Sequence, residues 1–319
     1  MVKKLLVLLV ILVAGAVVFY QQTNPEKGPL DEAARLAGGG RYLSLSDGTT
    51  HYDLAGPEDG QRVVLVHGFS VPYYIWDSTT TALAGAGFRV ARYDTYGRGF
   101  SDRPDIEYRL DLFTRQLGDL LDSLGWTGPV DLMGLSAGGP IVASFAGRYP
   151  SRVRSVVFVD PAAGPAGPLP SLFRLPVFGG LLWQVMAVPS MADNQTSDFV
   201  DPARWPDWAD RYRVQMRYRG FGRALRSTLL ARATVSTDTL YARFGTLGVR
   251  SLLIWGKEDQ TVPIEYAETL RKGIPALEYH PVDGAGHLPH MERTDVVNPL
   301  LIGFLRRTDA DTIGASPER

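Results

Sequence analysis

The sequence predicts an α/β fold: a mostly parallel sheet with helices on both faces, interrupted by one helical insertion. Three observations predict it. Short apolar runs rich in β-branched residues alternate with longer helix-like runs, the pattern of a parallel sheet covered on both sides. One segment, Pro161 to about Asp238, breaks that alternation and contains no convincing strand. A Gly-x-Ser-x-Gly turn lies between a strand-like run and a helix-like run.

In chain order, Arg41–Leu45 and Thr49–Asp53 read as a hairpin about Asp47-Gly48. Arg62–Val66, Arg89–Tyr93, Val130–Met133, Ser155–Val159, Arg250–Trp255 and Leu277–His280 read as further strands. Helices are predicted at Ile75–Ala84, Leu110–Leu124, Ala137–Arg148, Ile264–Lys272 and Val296–Arg306. The expected division is a core at 40–162 and 239–307, a helical lid at 163–238, a polar and Gly-rich linker at 21–39 and a frayed tail at 308–319.

Composition narrows the function. The 319 residues suffice for one large α/β domain. A formal net charge of −1 gives no electrostatic reason to bind nucleic acid. The chain has no cysteine, which excludes disulfides, a thiol nucleophile and thiolate metal sites.

At the N-terminus, Lys3 and Lys4 precede an apolar run from Leu5 to Tyr20. Residues 1–20 are therefore expected to be a membrane anchor or a signal peptide, with Ala14-Gly15-Ala16 as the cleavage signal in the second case. The apolar residues after that signal favour the anchor, and a buried core helix is the third option. The lysines place the catalytic domain on the non-cytoplasmic side, membrane-anchored or exported.

The chemistry is carried by three residues. In Gly134-Leu135-Ser136-Ala137-Gly138-Gly139 the serine follows a strand and opens a helix. The glycines make room for the tight turn, and the helix N-terminus favours negative charge developing near Ser136. A serine hydroxyl needs a base. His287, in a loop of small residues after the last strand, is the candidate; His290 competes, or pairs with it as a metal site. The base needs an orienting acid. Asp259 follows the strand ending at Trp255, with Asp160 as the rival and Glu258 one residue out of place. The order Ser, Asp, His fits a nucleophile on such a strand–turn–helix. Backbone N–H groups of Phe69 and Ala137 are the expected oxyanion donors, and His67 is expected to brace its loop. No cofactor or metal is required by this set.

Leu65-Val66-His67-Gly68-Phe69, the stretch Tyr93 to Asp102, the Ser136 turn, Trp255-Gly256-Lys257-Glu258-Asp259 and Gly286-His287 together resemble the α/β-hydrolase fold superfamily. The resemblance covers about residues 41 to 306 apart from the insertion. It is closest to the branch of membrane-anchored monoacylglycerol lipases, carboxylesterases and carbon–carbon bond hydrolases. It implies eight strands, a triad of Ser136, Asp259 and His287, and a structural role for the loop from Asp94 to Asp102. Haloalkane dehalogenases and epoxide hydrolases of this fold carry Asp where this chain has Ser136, which argues against both activities.

The expected function is hydrolysis of a carboxylic ester through an acyl-enzyme on Ser136. A carbon–carbon bond hydrolase with the same triad, and a non-catalytic ligand-binding protein, are the alternatives. Between Ser171 and Arg232 the insertion holds nine arginines, five aspartates, no lysine and no glutamate, interleaved with nine Phe, Trp or Tyr residues. Two readings stand side by side: a surface that meets lipid or a medium to long acyl chain, or a packed aromatic core with locally paired arginines. The expected partners are a small-molecule ester or lipid and, through the N-terminus, a membrane.

Overall fold

The computed structural model describes residues 18–165, 167, 169–176 and 178–307, together with Lys4, Leu6, Val7 and Gly15. Eight strands form one sheet: β1 (Arg41–Leu45), β2 (Gly48–Ala55), β3 (Arg62–Val66), β4 (Arg89–Tyr93), β5 (Val130–Leu135), β6 (Val153–Val159), β7 (Arg250–Gly256) and β8 (Leu277–Val282). Their spatial order is β1-β2-β4-β3-β5-β6-β7-β8. β1 and β2 are an antiparallel hairpin, β2 runs antiparallel to β4, and every later pairing is parallel.

Side-chain alternation divides this sheet between two cores. Val64, Val66, Leu132, Leu253 and Trp255 face one, under α3 (Leu110–Ser123), α4 (Gly138–Arg148), α10 (Thr237–Gly245) and α11 (Ala267–Gly273). Val63, Leu65, Met133, Leu252 and Ile254 face the other, against α2 (Asp77–Gly85), α12 (Pro289–Glu292), α13 (Thr294–Arg306) and the insertion. Both faces of the central strands leave water, so β5 is buried at every position and its sequence is apolar apart from Asp131. Burial of Asp131 is compensated by Ser155 Oγ (2.6 Å), Gln61 Nε2 (2.8 Å) and the Arg154 guanidinium.

Between β6 and β7 the described residues form no strand. The insertion holds α5 (Ser171–Arg174), α6 (Gly179–Met186), α7 (Met191–Asn194), α8 (Trp208–Met216) and α9 (Phe221–Arg232). Its aromatics favour the packed reading: Phe173, Trp183, Phe199, Trp208, Tyr212 and Phe221 are all buried. So do its arginines. Arg211 pairs with Asp77, Arg213 with Asp193 and Asp210, and Arg226 donates to the Phe173 carbonyl.

Several local expectations change. The helix expected from Ile75 starts as a 3-10 turn at Tyr73–Trp76 before α2, because Pro72 and the packing of Trp76 tighten its entry. The sequence marks no helix over 237–245, yet α10 forms there, capped by Ser236 Oγ accepting from Thr239 N (3.3 Å). Residues 21–39, read as a linker, pack against the insertion. Gly28 bridges Tyr218, and the Glu26 carboxylate accepts from Gly220 N and Gly222 N, both at 2.8 Å. Short α1 (Glu32–Gly38) follows, capped by Asp31.

The membrane-anchored or exported location is corrected. Among the described residues no helix is long and apolar enough to cross a membrane. A 16-residue run rises about 24 Å as a helix, against a hydrocarbon core of about 30 Å. Most of residues 1–17, and the tail 308–319, lie outside the described residues.

Candidate active site

The site lies where the parallel strands end. β5 runs into α4 through a turn so sharp that Ser136 sits at φ +48°, a left-handed conformation that non-glycine residues rarely adopt. The neighbours must be small. A Cβ at Gly134 would lie 2.5 Å from the Gly138 carbonyl oxygen, and one at Gly138 would fall on the Val66 carbonyl oxygen. The strained turn is pinned from β6: Ser136 N donates to Val159 O (3.0 Å), and Ser136 O accepts from Ala162 N (2.8 Å) and Gly139 N (2.9 Å).

The loop after β3 lies against this turn, with the Cβ position of Gly68 only 3.2 Å from Ser136 Cβ. Phe69 and Ala137 share a cavity wall with Ser136. His67 braces the loop from beneath. Its Nε2 accepts from Thr95 N (2.9 Å) and its Nδ1 donates to Gly68 O (2.8 Å). Burial pushes its pKa down to about 4, so the ring is neutral and its two nitrogens are fully engaged. The loop from Asp94 to Asp102 is likewise structural: Asp94 accepts from Tyr73 N (2.8 Å) and Phe100 N (2.9 Å), and Asp102 accepts from Thr49 N (2.6 Å).

β7 and β8 bring the remaining two residues. His287 Nδ1 and Asp259 Oδ2 are 2.7 Å apart and buried. The other Asp259 oxygen accepts from Thr261 N (2.8 Å) and Val262 N (2.9 Å), which orients the carboxylate. Burial alone would lower the His287 pKa, but the Asp259 hydrogen bond and charge, with that of Asp198, hold it above the ordinary histidine value. Ser136 and His287 line one cavity, together with Phe69 and Asp198.

Asp160, the rival acid, sits beside Asp259 without reaching His287 by a hydrogen bond in the described structure. Its Oδ1 accepts from Gly256 N (2.9 Å), while its Oδ2 is buried and meets no donor among the described residues. Burial first, and then the Asp259 charge, raise its pKa well above the usual carboxyl value. A protonated Asp160 can donate to Asp259; an ionised one would only repel it. Ligand atoms of Asp160, Asp259 and His287 lie within 4.8 Å of one another, with Asp160 beside the hydrogen-bonded Asp259–His287 pair. His290 points elsewhere. Its Nε2 donates to Ile75 O (3.0 Å) under the Trp76 ring, and burial takes its pKa to about 3. It therefore does not pair with His287 as a metal ligand set.

Two supporting carboxyls carry no motif. Asp198 comes from the insertion: its carbonyl accepts from His287 N (2.9 Å), and its Oδ1 from Thr261 Oγ1 (2.6 Å). Glu292 accepts from Gly286 N (2.7 Å) and Val200 N (2.8 Å), tying the His287 loop to the insertion. Glu292 lies five residues beyond His287 and proximity could have suggested it; nothing in the sequence singles out Asp198.

A family model described as alpha/beta hydrolase fold matches residues 61–294, which is more than half of the chain. The chain belongs to that family. The hydrolase is 28% identical over 284 residues to the 2-hydroxy-6-oxo-6-phenylhexa-2,4-dienoate hydrolase of Comamonas testosteroni, covering 82% of this chain and 93% of that relative. It is 27% identical to a 2-hydroxy-6-oxononadienedioate/2-hydroxy-6-oxononatrienedioate hydrolase of Cupriavidus pinatubonensis, over 86% of this chain and 98% of the relative. A meta-cleavage product hydrolase from Pseudomonas fluorescens superposes with a TM-score of 0.69 at 26% identity, covering 84% of this chain and 98% of the other. A thermophilic esterase from Thermogutta terrifontis has the same fold, with a TM-score of 0.71 at 24% identity over 83% and 98% of the two chains. Esterases and carbon–carbon bond hydrolases thus share the fold with this hydrolase.

Proposed function

We propose that the protein is a serine hydrolase of carboxylic esters, working through an acyl-enzyme on Ser136 with His287 as base and Asp259 as orienting acid. The observation that carries this reading is the 2.7 Å contact of His287 Nδ1 with Asp259, on a histidine that shares a cavity with the strained Ser136. With Nδ1 engaged by Asp259, Nε2 is the nitrogen that removes the Ser136 proton. Ser136 Oγ attacks the ester carbon, and the N–H groups of Phe69 and Ala137 stabilise the oxyanion. His287 then hands its proton to the departing alcohol. Water, activated by the same histidine, releases the acid. A cavity of about 750 Å³ beside Ser136, walled by Leu169, Pro170, Leu229 and Tyr266, suits a medium to long acyl chain.

Carbon–carbon bond hydrolysis is the second reading, favoured by what the relatives act on. Their dienoates carry a carboxylate. The larger cavity at Ser136 has Arg174 and Arg232 in its wall, cations that a dienoate carboxylate could meet, whereas the cavity beside His287 has no Arg or Lys among its described lining residues.

The test is fluorophosphonate labelling of the wild type and of Ser136→Ala, followed by assay of p-nitrophenyl esters beside a ring-fission dienone. Labelling of the wild type alone is expected, with turnover of octanoate esters falling about 10⁵–10⁶-fold in the variant. A wild type that does not label is a binding protein on this fold. A labelled enzyme that cleaves only the dienone is a carbon–carbon hydrolase. Turnover of acetate with none from octanoate upward would refute the acyl-chain assignment.

A further inference from the structure

Two cavities meet at Ser136, and they differ in chemistry. The larger, of about 750 Å³, does not touch His287 and is walled largely by apolar side chains such as Leu169, Leu229, Leu230 and Val262. The smaller, of about 150 Å³, has His287 in its wall beside Ser70, Asn194, Gln195, Asp198 and Thr261. Mechanism assigns them. As the ester C–O bond breaks, the acyl carbon keeps its new bond to Ser136 Oγ. The departing alkoxide oxygen takes its proton from His287. The alcohol must therefore lie against His287, in the smaller cavity. That cavity has room for a small alcohol.

Asp198 is the charged member of that wall other than the base. It is held there from two sides, by His287 N on its carbonyl (2.9 Å) and by the Thr261 hydroxyl on Oδ1 (2.6 Å). One hydroxyl donor leaves most of a carboxylate's acceptor capacity unused. No Arg or Lys among the described lining residues neutralises it. Such a group rewards a substrate hydroxyl that donates to it. It also penalises a substrate carboxylate, which would bring a second negative charge beside it.

We infer that Asp198 is the specificity-determining residue of the leaving-group subsite, which selects esters of small uncharged hydroxylated alcohols over esters whose alcohol carries a carboxylate. This rests on the ester reading above. It explains why a residue from the insertion, rather than from the sheet, is locked to the loop of the base: substrate choice and catalytic geometry are joined at one place.

The experiment compares kcat/KM for glyceryl octanoate, ethyl octanoate and the octanoyl ester of lactate, in wild type, Asp198→Ala and Asp198→Asn. The wild type is expected to rank them in that order. Asp198→Ala should reduce the glyceryl-to-ethyl ratio about tenfold. Asp198→Asn, whose amide oxygen still accepts, should keep that ratio within a few-fold and raise the lactate-to-ethyl ratio about tenfold. Each ratio is internal to one protein, so a general loss of activity does not enter it. Should Asp198→Ala not fold, the lactate ratio in Asp198→Asn decides alone. A glyceryl-to-ethyl ratio within twofold of wild type in Asp198→Ala, or, where that variant does not fold, a lactate-to-ethyl ratio within twofold of wild type in Asp198→Asn, overturns the inference and leaves the ester reading standing. A wild type that labels with fluorophosphonate but hydrolyses none of the three esters overturns both.

Discussion

At the scale of single residues, two buried ionisable groups, His287 and Asp160, titrate away from their ordinary values. In the proposed mechanism His287 must be neutral to accept the Ser136 proton, and its pKa is raised above the ordinary 6.5. The rising limb of the kcat/KM profile is therefore expected above pH 6.5. Asp198 contributes to that rise, so Asp198→Asn should move the limb to lower pH; a pH–rate profile that does not move would contradict it. Asp160 behaves in the opposite sense to an ion-paired acid. Its folded pKa lies above the unfolded value of 3.8, so the native state binds the extra proton. Stability is fully present below that unfolded value and is lost as pH rises through the folded pKa. Asp160→Asn keeps a donor toward Asp259 and removes the titration. Its melting temperature relative to wild type should climb as pH rises above 3.8 toward the folded pKa of Asp160, and a constant difference would show that Asp160 is ionised in the folded state.

Among the elements, the turns at the strand ends do more than the strands. Gly256 closes β7 where its backbone meets the loop of the base. A Cβ there would fall on the Gly286 carbonyl oxygen and lie 2.5 Å from that of Ala285. Gly256→Ala must push the His287 loop away from Asp259. A loss of about 100-fold in kcat is expected from an ångström of misplacement, with a melting temperature lower by several degrees. Wild-type kinetics in this variant would mean that the loop yields without moving the imidazole. The strands themselves were legible because burial on both faces demands uninterrupted apolar runs, as in Val130–Leu135. Helix α10 was not, because its apolar stripe, Tyr241 and Phe244, is too short to mark a period and depends on packing against Phe158.

Across the whole molecule, the N-terminal segment and the insertion form one structure over the site. Glu26 joins them, accepting from Gly220 N, Gly222 N and Gln184 Nε2 at 2.8, 2.8 and 3.1 Å. Glu26→Ala leaves those donors without their charged partner. A loss of about 1–3 kcal/mol is expected by urea denaturation, with faster proteolysis within the insertion than in the core. Equal protection of insertion and core in the variant would show that Glu26 is not what holds them together.

The sequence by itself determined the fold class, the strand–turn–helix at Ser136, the candidate base and two rival candidate acids, Asp259 and Asp160. Those depend on local rules: apolar periodicity, the small residues a tight turn requires, and a loop of glycines before His287. What only the tertiary structure decided is which groups meet. Asp259 rather than Asp160 reaches His287 because β7 and its loop turn the carboxylate toward the imidazole, while Asp160 is turned onto Gly256 N. Asp198 reaches the same histidine from a segment with no motif, across 89 residues of chain. The apolar run at the N-terminus pointed toward a membrane; hydropathy reports only the transfer preference of a segment, and among the described residues no helix is long and apolar enough to cross one. Contacts between distant segments depend on packing, and no local pattern encodes them.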